Sequence, residues 1–145
     1  MQTLITVLCG GLCALMAGIY FAFSVIVMPS LSRLPAQQGA TTMRQINRDI
    51  LSSAFMLLFW GSSVLTLAAL FTSPSAMTWL AGGLYLGGML IVTAVGNVPL
   101  NRRLEEEGNT NGEAVWQHYL VRWTFWNHVR TASAAVSAGL FLVAV

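Results

Sequence analysis

The sequence predicts an all-α integral membrane protein, an up-down bundle of four transmembrane helices with both termini on the non-cytoplasmic side. Of its 145 residues 56% are hydrophobic and 8% are charged, whereas a soluble domain carries about 25% charged residues. Four apolar segments reach the roughly 20 residues that cross a bilayer. The basic residues, all arginines, gather on one side of this arrangement, which the positive-inside rule makes cytoplasmic.

Prolines delimit the apolar segments. The first segment has no basic residue before its apolar run and is too long for a signal peptide, so it is expected to be a retained membrane helix. Pro29, Pro74 and Pro99 each fall where a helix is expected to end. Short connections make neighbouring helices antiparallel, and the four form one domain. The predicted spans are residues 3–28, 50–71, 76–98 and 113–145.

Two connections are long enough to carry structure of their own. Between residues 29 and 49, Met43 and Ile46 lie at helical spacing with Ile50, which predicts a short amphipathic helix around residues 38–48. The connection from residue 101 to residue 112 is hydrophilic. The bundle topology places both connections on the cytoplasmic side.

The composition and motifs exclude several classes of function. Cys9 and Cys13 are the only cysteines, and their spacing on one apolar helix indicates packing residues rather than a metal site. The chain has no phosphate-binding glycine loop and no nucleophile elbow. Its net charge of +2 is too small to favour nucleic acid as a partner.

Glycines mark where helices are expected to touch. Gly83 and Gly87 form a small-xxx-small pair in the third span, and Gly11 and Gly18 lie a heptad apart in the first. Such residues let transmembrane backbones approach closely. The pattern leaves open whether the contact lies within one chain or in a homo-oligomer.

The last span begins with a stripe of aromatic and polar residues. At about 100° per residue, six side chains fall within an arc of roughly 100°. An aromatic belt with a snorkelling arginine is one interpretation. The concentration of these side chains on one face of the helix favours a second interpretation, in which they form the wall of a cavity. The stripe consists of Trp116, Tyr119, Trp123, Trp126, Asn127 and Arg130.

Four residues elsewhere are expected on the same membrane side. Asn97 and Asn101 flank Pro99 at the end of the third span, where Asn97 either caps the helix or faces the stripe. Tyr20 lies near the end of the first span and Asn47 just before the second. A polar group in hydrocarbon is costly, so these residues are candidates for a site.

The titratable side chains near the stripe are fewer. Asp49 is a candidate partner for Arg130 or Arg48, although an exposed surface pair is an equal alternative. His118 and His128 lie well off the stripe on the helical wheel. His128 is either a packed interfacial residue or, if the pocket wraps around the helix, the best available general base.

Five parts of the chain are informative together: residues 18–24, Met28-Pro29, residues 45–48, residues 97–101 with Leu104, and residues 123–131. These segments resemble the anthrone oxygenase-like family, long catalogued as a domain of unknown function. The resemblance implies a four-helix membrane protein, and some fungal relatives are implicated in oxidising anthrones to anthraquinones. The family's asparagine and arginine positions map onto Asn97, Asn101, Asn127 and Arg130.

The first functional hypothesis is a plasma (inner) membrane oxygenase for a flat, apolar, phenol-like aromatic substrate. Arg130 and Asn127 would stabilise an oxyanion, with His128 as a tentative base. A cofactor-free reaction is the first expectation, and haem or a metal ion remains an alternative. Substrate contacts are expected from Trp116, Tyr119, Trp123, Trp126, Tyr20, Asn97, Asn101 and Asn47.

The second hypothesis is a non-catalytic membrane protein. It would bind a lipid, a quinone or haem, or serve as a packing subunit of a complex. Arg130 and Asn127 would then form a structural lock or a headgroup site. Membrane lipids are partners under both hypotheses.

Overall fold

The computed structural model describes residues 2–108 and 112–144. Within these residues it contains helices and no strand, which confirms the all-α prediction. Three helices in this part of the chain are long and apolar enough to cross a membrane, namely α1, α3 and α4. The five helices are α1 Gln2–Ser32, α2 Ala36–Leu51, α3 Ala54–Thr72, α4 Ala76–Glu107 and α5 Gly112–Val143.

Helix α5 is long but less apolar than the other three. Asn127, His128 and Arg130 interrupt its hydrophobic run, and the fourth span expected over residues 113–145 stays a prediction. The helix makes its most extensive contacts with α1 and also packs on α4 and α2. Asn127 and Arg130 of α5 are therefore enclosed by neighbouring helices, whereas His128 is exposed.

Two prolines do not end their helices. Helix α1 continues through Pro29 and α4 through Pro99, so the predicted ends at residues 28 and 98 are wrong. In each case a π-helical turn, Phe23–Val27 or Thr93–Asn97, ends two residues before the proline. A π turn shifts the hydrogen-bond register and leaves room for a residue that lacks an N–H. Pro74 does lie in the turn between α3 and α4.

The amphipathic helix α2 is longer than the sequence indicates. It begins after Pro35 and buries Gly39, Ala40 and Met43. Residues 50 and 51 belong to α2, so the predicted start of the next span at residue 50 is wrong. Helix α3 begins at Ala54, where the Ser53 hydroxyl accepts a hydrogen bond from the Phe55 N–H.

The buried hydrophobic residues form two clusters. One lies among α1, α3, α4 and α5 and contains Tyr20 with Tyr85 and Phe141. The other joins α2 to the adjoining ends of α1, α4 and α5 and contains Trp123. Tyr20 and Trp123 both line a cavity, so the cavity lies where the two clusters meet.

The hydrophilic connection predicted for residues 101–112 is partly helical, because residues 101–107 belong to α4. Residues 109–111 lie outside the described residues, as does Val145.

Gly82 and Gly88, which flank the predicted pair Gly83 and Gly87, make the close approaches of that glycine cluster. Gly83 and Gly87 have open space where a Cβ would stand, as do Gly11 and Gly18. Contact within the chain is therefore not their role, and a role between chains remains a prediction. The close approaches are Gly82 to Leu70, Gly88 to Ser133, Gly96 to Trp126 and Gly39 to Trp116.

We expect Gly88→Ala to destabilise the fold and Gly87→Ala to leave it intact. A Cβ at Gly88 would lie 2.0 Å from the Ser133 hydroxyl oxygen, and such overpacking costs about 1–3 kcal/mol. Thermal unfolding in detergent, followed by circular dichroism, measures the difference. Gly88→Ala combined with Ser133→Gly should recover stability. Equal melting temperatures for the two single variants would contradict the assigned contact.

Candidate functional site

A cavity of about 620 Å³ is lined by residues of all five helices. Its volume lies in the range of pockets that hold small organic ligands, about 300–1,000 Å³. Most of the lining is apolar, with Phe23 from α1 and Phe55 and Phe59 from α3 among its aromatic walls. The polar groups come from four of the helices, α1, α2, α4 and α5. They include Tyr20, Asn47, Thr93, Asn97, Asn101, Asn127 and Arg130.

Arg130 is the central charged group. Its side chain is 6% exposed. One terminal nitrogen donates to the Asn127 Oδ1 at 2.6 Å and the other to the Thr93 hydroxyl at 3.2 Å. The guanidinium carbon lies 4.3 Å from the centre of the Tyr20 ring and 5.2 Å from that of Trp123. Among the described residues no carboxylate forms an ion pair with it, so neutral groups alone hold this cation.

Asn127 positions the arginine. Its side-chain nitrogen donates to the Tyr20 carbonyl at 2.7 Å and to the Ser24 hydroxyl at 2.8 Å. An amide nitrogen has two hydrogens, so both are engaged and Oδ1 is left to accept from Arg130. The prediction that Asn127 itself donates to an oxyanion is therefore not met by this arrangement.

The π turns that precede Pro29 and Pro99 supply several of the partners of α5. Ser24 lies in the π turn of α1, and Thr93 and Asn97 lie in that of α4. The Asn97 side-chain nitrogen donates to the Trp123 carbonyl at 3.3 Å. Turns of this kind are frequent at functional sites. Thr93 and the aromatic residues of α3 were not foreseen, and the only sequence signal for the π turns is the proline that follows each.

Several polar atoms at the cavity lack a hydrogen-bond partner among the described residues. A buried unpaired donor or acceptor costs about 1–3 kcal/mol. Such groups call for a specific explanation, and a ligand or water in the cavity supplies one. These atoms are the Tyr20 Oη, Asn97 Oδ1, Trp123 Nε1 and Arg130 Nε.

An aromatic column lies behind the cavity wall. The rings of Trp116, Tyr119 and Trp123 stack at centroid distances of 5.8 and 6.0 Å. The Tyr119 hydroxyl donates to Asn101 Oδ1 at 2.7 Å and accepts from the Asn47 side chain at 3.4 Å. The column thereby ties α2 and α4 to α5.

The predicted stripe divides into two groups. Trp123, Asn127 and Arg130 line the cavity, as do Tyr20, Asn47, Asn97 and Asn101. Trp116, Tyr119 and Trp126 do not line it, which corrects their expected position against a substrate. Trp116 packs on Gly39 of α2 and Trp126 on Gly96 of α4. Neighbouring backbones occupy the space that a ligand would need.

The predicted titratable partners lie elsewhere. His118 is exposed, and His128 is exposed in a separate surface groove between α1 and α5. The condition for His128 as a base, a pocket that wraps around the helix, is thus not met. Asp49 is exposed and accepts a hydrogen bond from Gln45 at 2.7 Å. Arg48 pairs with Glu105 instead.

The mouth of the cavity has an apolar and a polar part. Leu51, Trp60 and Val98 line the cavity and are exposed, at 69%, 53% and 50%. The Arg48–Glu105 ion pair joins α2 to α4 at the polar part. An apolar molecule therefore meets matching surface at the mouth, with the cation of Arg130 further inside.

In the described part of the chain no group of three or more His, Cys, Asp or Glu residues is arranged to hold a metal ion.

Comparisons with known proteins bear on this site. Neither the curated proteins nor the solved structures gave a match. The family model described as anthrone oxygenase matches residues 43–140, which include Asn97, Asn101, Asn127 and Arg130. The chain belongs to the anthrone oxygenase family.

Proposed function

We propose that this protein is a membrane oxygenase that uses O₂ to oxidise an anthrone- or hydroquinone-type aromatic substrate in the cavity. One observation carries the proposal: Arg130 is a buried cation with no carboxylate partner among the described residues, at a mostly apolar, aromatic-walled cavity. Preorganised positive charge in a water-poor site stabilises an oxyanion far better than water-exposed charge does. Family membership supports the same chemistry.

The reaction on an anthrone balances without any further reactant. Loss of a proton from the methylene carbon leaves an enolate, and its electron pair is shared with the oxygen that faces Arg130. The electron-rich carbon then reduces O₂. One oxygen atom replaces the two hydrogens of the methylene group as a carbonyl, and the other leaves as water. The protein's task is to hold the enolate and exclude competing water.

The scheme assigns separate roles to the charged residue, to the residues that hold it and to the aromatic residues. Arg130 faces the oxyanion, while Asn127 and Thr93 hold the guanidinium in place. Tyr20, Phe23 and the aromatic residues of α3 provide flat walls against which an aromatic ligand packs. Trp116 and Tyr119 support the Trp123 wall from behind.

We further propose a four-span topology in the plasma (inner) membrane with both termini on the non-cytoplasmic side. The three apolar helices support it, and α5 completes the bundle because its polar side chains are paired internally. The arginines at the cavity end of the helices make that end cytoplasmic. Self-association through the outward-facing glycines Gly83 and Gly87 fits this arrangement.

A second candidate is a non-catalytic site for a quinone or lipid. Among the described residues, the cavity lining contains no histidine, and its one carboxylate, Glu105, is at the mouth. A binding protein needs no side chain that takes up a proton from its ligand. Measured O₂ consumption decides between the two candidates.

We expect Arg130→Gln to lower anthrone-dependent O₂ uptake by roughly 10²–10³-fold, the usual effect of removing one oxyanion donor. Arg122→Gln is the matched control, because Arg122 is exposed on the same helix and does not line the cavity. An oxygen electrode gives the rate, and size-exclusion chromatography verifies the fold. A wild-type protein that consumes no O₂ with any anthrone or hydroquinone would overturn the oxygenase proposal.

Asn127→Ala should lower kcat by about 10-fold or more with little change in KM, because a displaced catalytic group costs rate even when the walls are intact. The comparison is Thr131→Ala. Its hydroxyl donates to the Asn127 carbonyl at 2.9 Å, but its side chain does not line the cavity. Steady-state kinetics measure both. A rise in KM alone would assign Asn127 to ligand binding.

An absorption spectrum and a metal analysis of the purified protein in detergent test the cofactor-free reaction. We expect full activity without a Soret band and without stoichiometric metal, because oxidation of an enolate by O₂ needs only the groups named above. Activity that tracks haem or metal content across preparations would reject this expectation.

A further inference from the structure

Among the residues that the structure describes, the inner end of the cavity carries a positive charge and no proton acceptor of ordinary basicity. The charged and titratable side chains that face the cavity are Tyr20 from α1, Arg48 from α2, Arg102 and Glu105 from α4, and Arg130 from α5. Helix α3 contributes none among its lining residues. Tyr20 is a phenol, which at neutral pH is protonated.

The one carboxylate in this set does not reach the inner end. Glu105 forms an ion pair with Arg48, and its side chain is 44% exposed at the mouth. Both histidines are exposed on other surfaces. His128 follows Asn127 directly in the chain, and the rotation of about 100° per residue turns it away from the cavity.

Arg130, by contrast, is enclosed and electrically uncompensated. Its partners are the Asn127 amide, the Thr93 hydroxyl and two aromatic rings, all of them neutral. A cation in a poorly hydrated site favours an anion next to it more strongly than the same charge in water does. A weak acid bound against Arg130 is therefore stabilised in its ionised form.

We propose that the cavity ionises its ligand through the electrostatic field of Arg130 and takes up no proton itself. The inference rests on the proposed function and specifies how its first step occurs. The acidic C–H or O–H bond of the ligand breaks, and its electron pair remains on the ligand as an oxyanion against Arg130. The proton leaves to water at the polar rim formed by Arg48, Arg102 and Glu105. Arg130 keeps its charge throughout.

Ligand choice follows from this scheme. A ligand that can ionise should bind more tightly as the pH rises toward the pKa of the free ligand. A ligand of the same shape without an acidic proton should bind independently of pH. The suitable probe pair is 2-hydroxyanthraquinone and 2-methoxyanthraquinone, which differ by one methyl group in place of the acidic hydrogen.

The test is a visible-absorbance titration of 2-hydroxyanthraquinone with the purified full-length protein in detergent. Ionisation of the phenol shifts its absorption, and empty micelles provide the reference. We expect the apparent pKa of the bound probe to fall by about 1 to 3 relative to the reference, as an opposite charge within about 4–6 Å produces. Arg130→Lys should keep part of this shift, and Arg130→Met should lose it. Arg122→Met should behave as wild type.

A second measurement does not depend on the folding of any variant. With wild-type protein, the affinity for 2-hydroxyanthraquinone should rise by up to 10-fold for each pH step of one, between the bound and free pKa of the probe. The affinity for 2-methoxyanthraquinone should stay constant over the same range. Equal pH dependence of the two probes contradicts the proposal.

Three results would overturn the inference. They are a wild-type protein that does not bind the anionic probe, a shift that persists in Arg130→Met, and a shift that disappears in Glu105→Gln or His128→Ala. Failure of the oxygenase proposal looks different. If the protein shifts the probe's pKa but consumes no O₂, the ionising site is supported and the oxygenase proposal fails. If it consumes O₂ without shifting the probe's pKa, the oxygenase proposal is supported and the ionisation step fails.

Discussion

The arrangement of the molecule depends on a buried guanidinium that, within the described part of the chain, is satisfied by neutral groups alone. Arg130 reaches the centre of an apolar assembly, where an unpaired charge is severely penalised. The side chain is held by Asn127 one turn before it, by Thr93 of α4 and by the ring faces of Tyr20 and Trp123. Asn127 in turn binds the backbone of α1. The single cation therefore fixes how α1, α4 and α5 meet.

The same requirement gives the irregular helices a purpose. In α1 and α4 a proline is accommodated by a preceding π turn, and residues of these turns, Ser24, Thr93 and Asn97, bind side-chain or backbone groups of α5. Elements that look like helix ends in the sequence thus become the walls of the cavity. The aromatic column of Trp116, Tyr119 and Trp123 then closes the side toward α2.

A cavity of this kind separates two tasks that are often combined in one site. In the proposed mechanism Arg130 stabilises negative charge inside the cavity, and protons are exchanged with water at the mouth, where Arg48 pairs with Glu105. The apolar part of the mouth, with Trp60 and Val98 exposed, suits a ligand dissolved in the membrane. Affinity for a flat aromatic molecule and selection of its ionised form then come from different residues.

The amino-acid sequence by itself determined the helical class, the apolar spans and the face of α5 that carries Trp123, Asn127 and Arg130, because hydrophobic runs and helical periodicity are local properties. It also indicated the family, since short segments of the chain match the family's asparagine and arginine positions. Only the tertiary structure decided that Trp116, Tyr119 and Trp126 lie behind the wall and that His128 faces outward. Those outcomes depend on which backbone occupies the space beside each ring, as Gly39 and Gly96 do. The paths of α1 and α4 through Pro29 and Pro99 were likewise set by packing against α5, which overrides the local tendency of proline to end a helix.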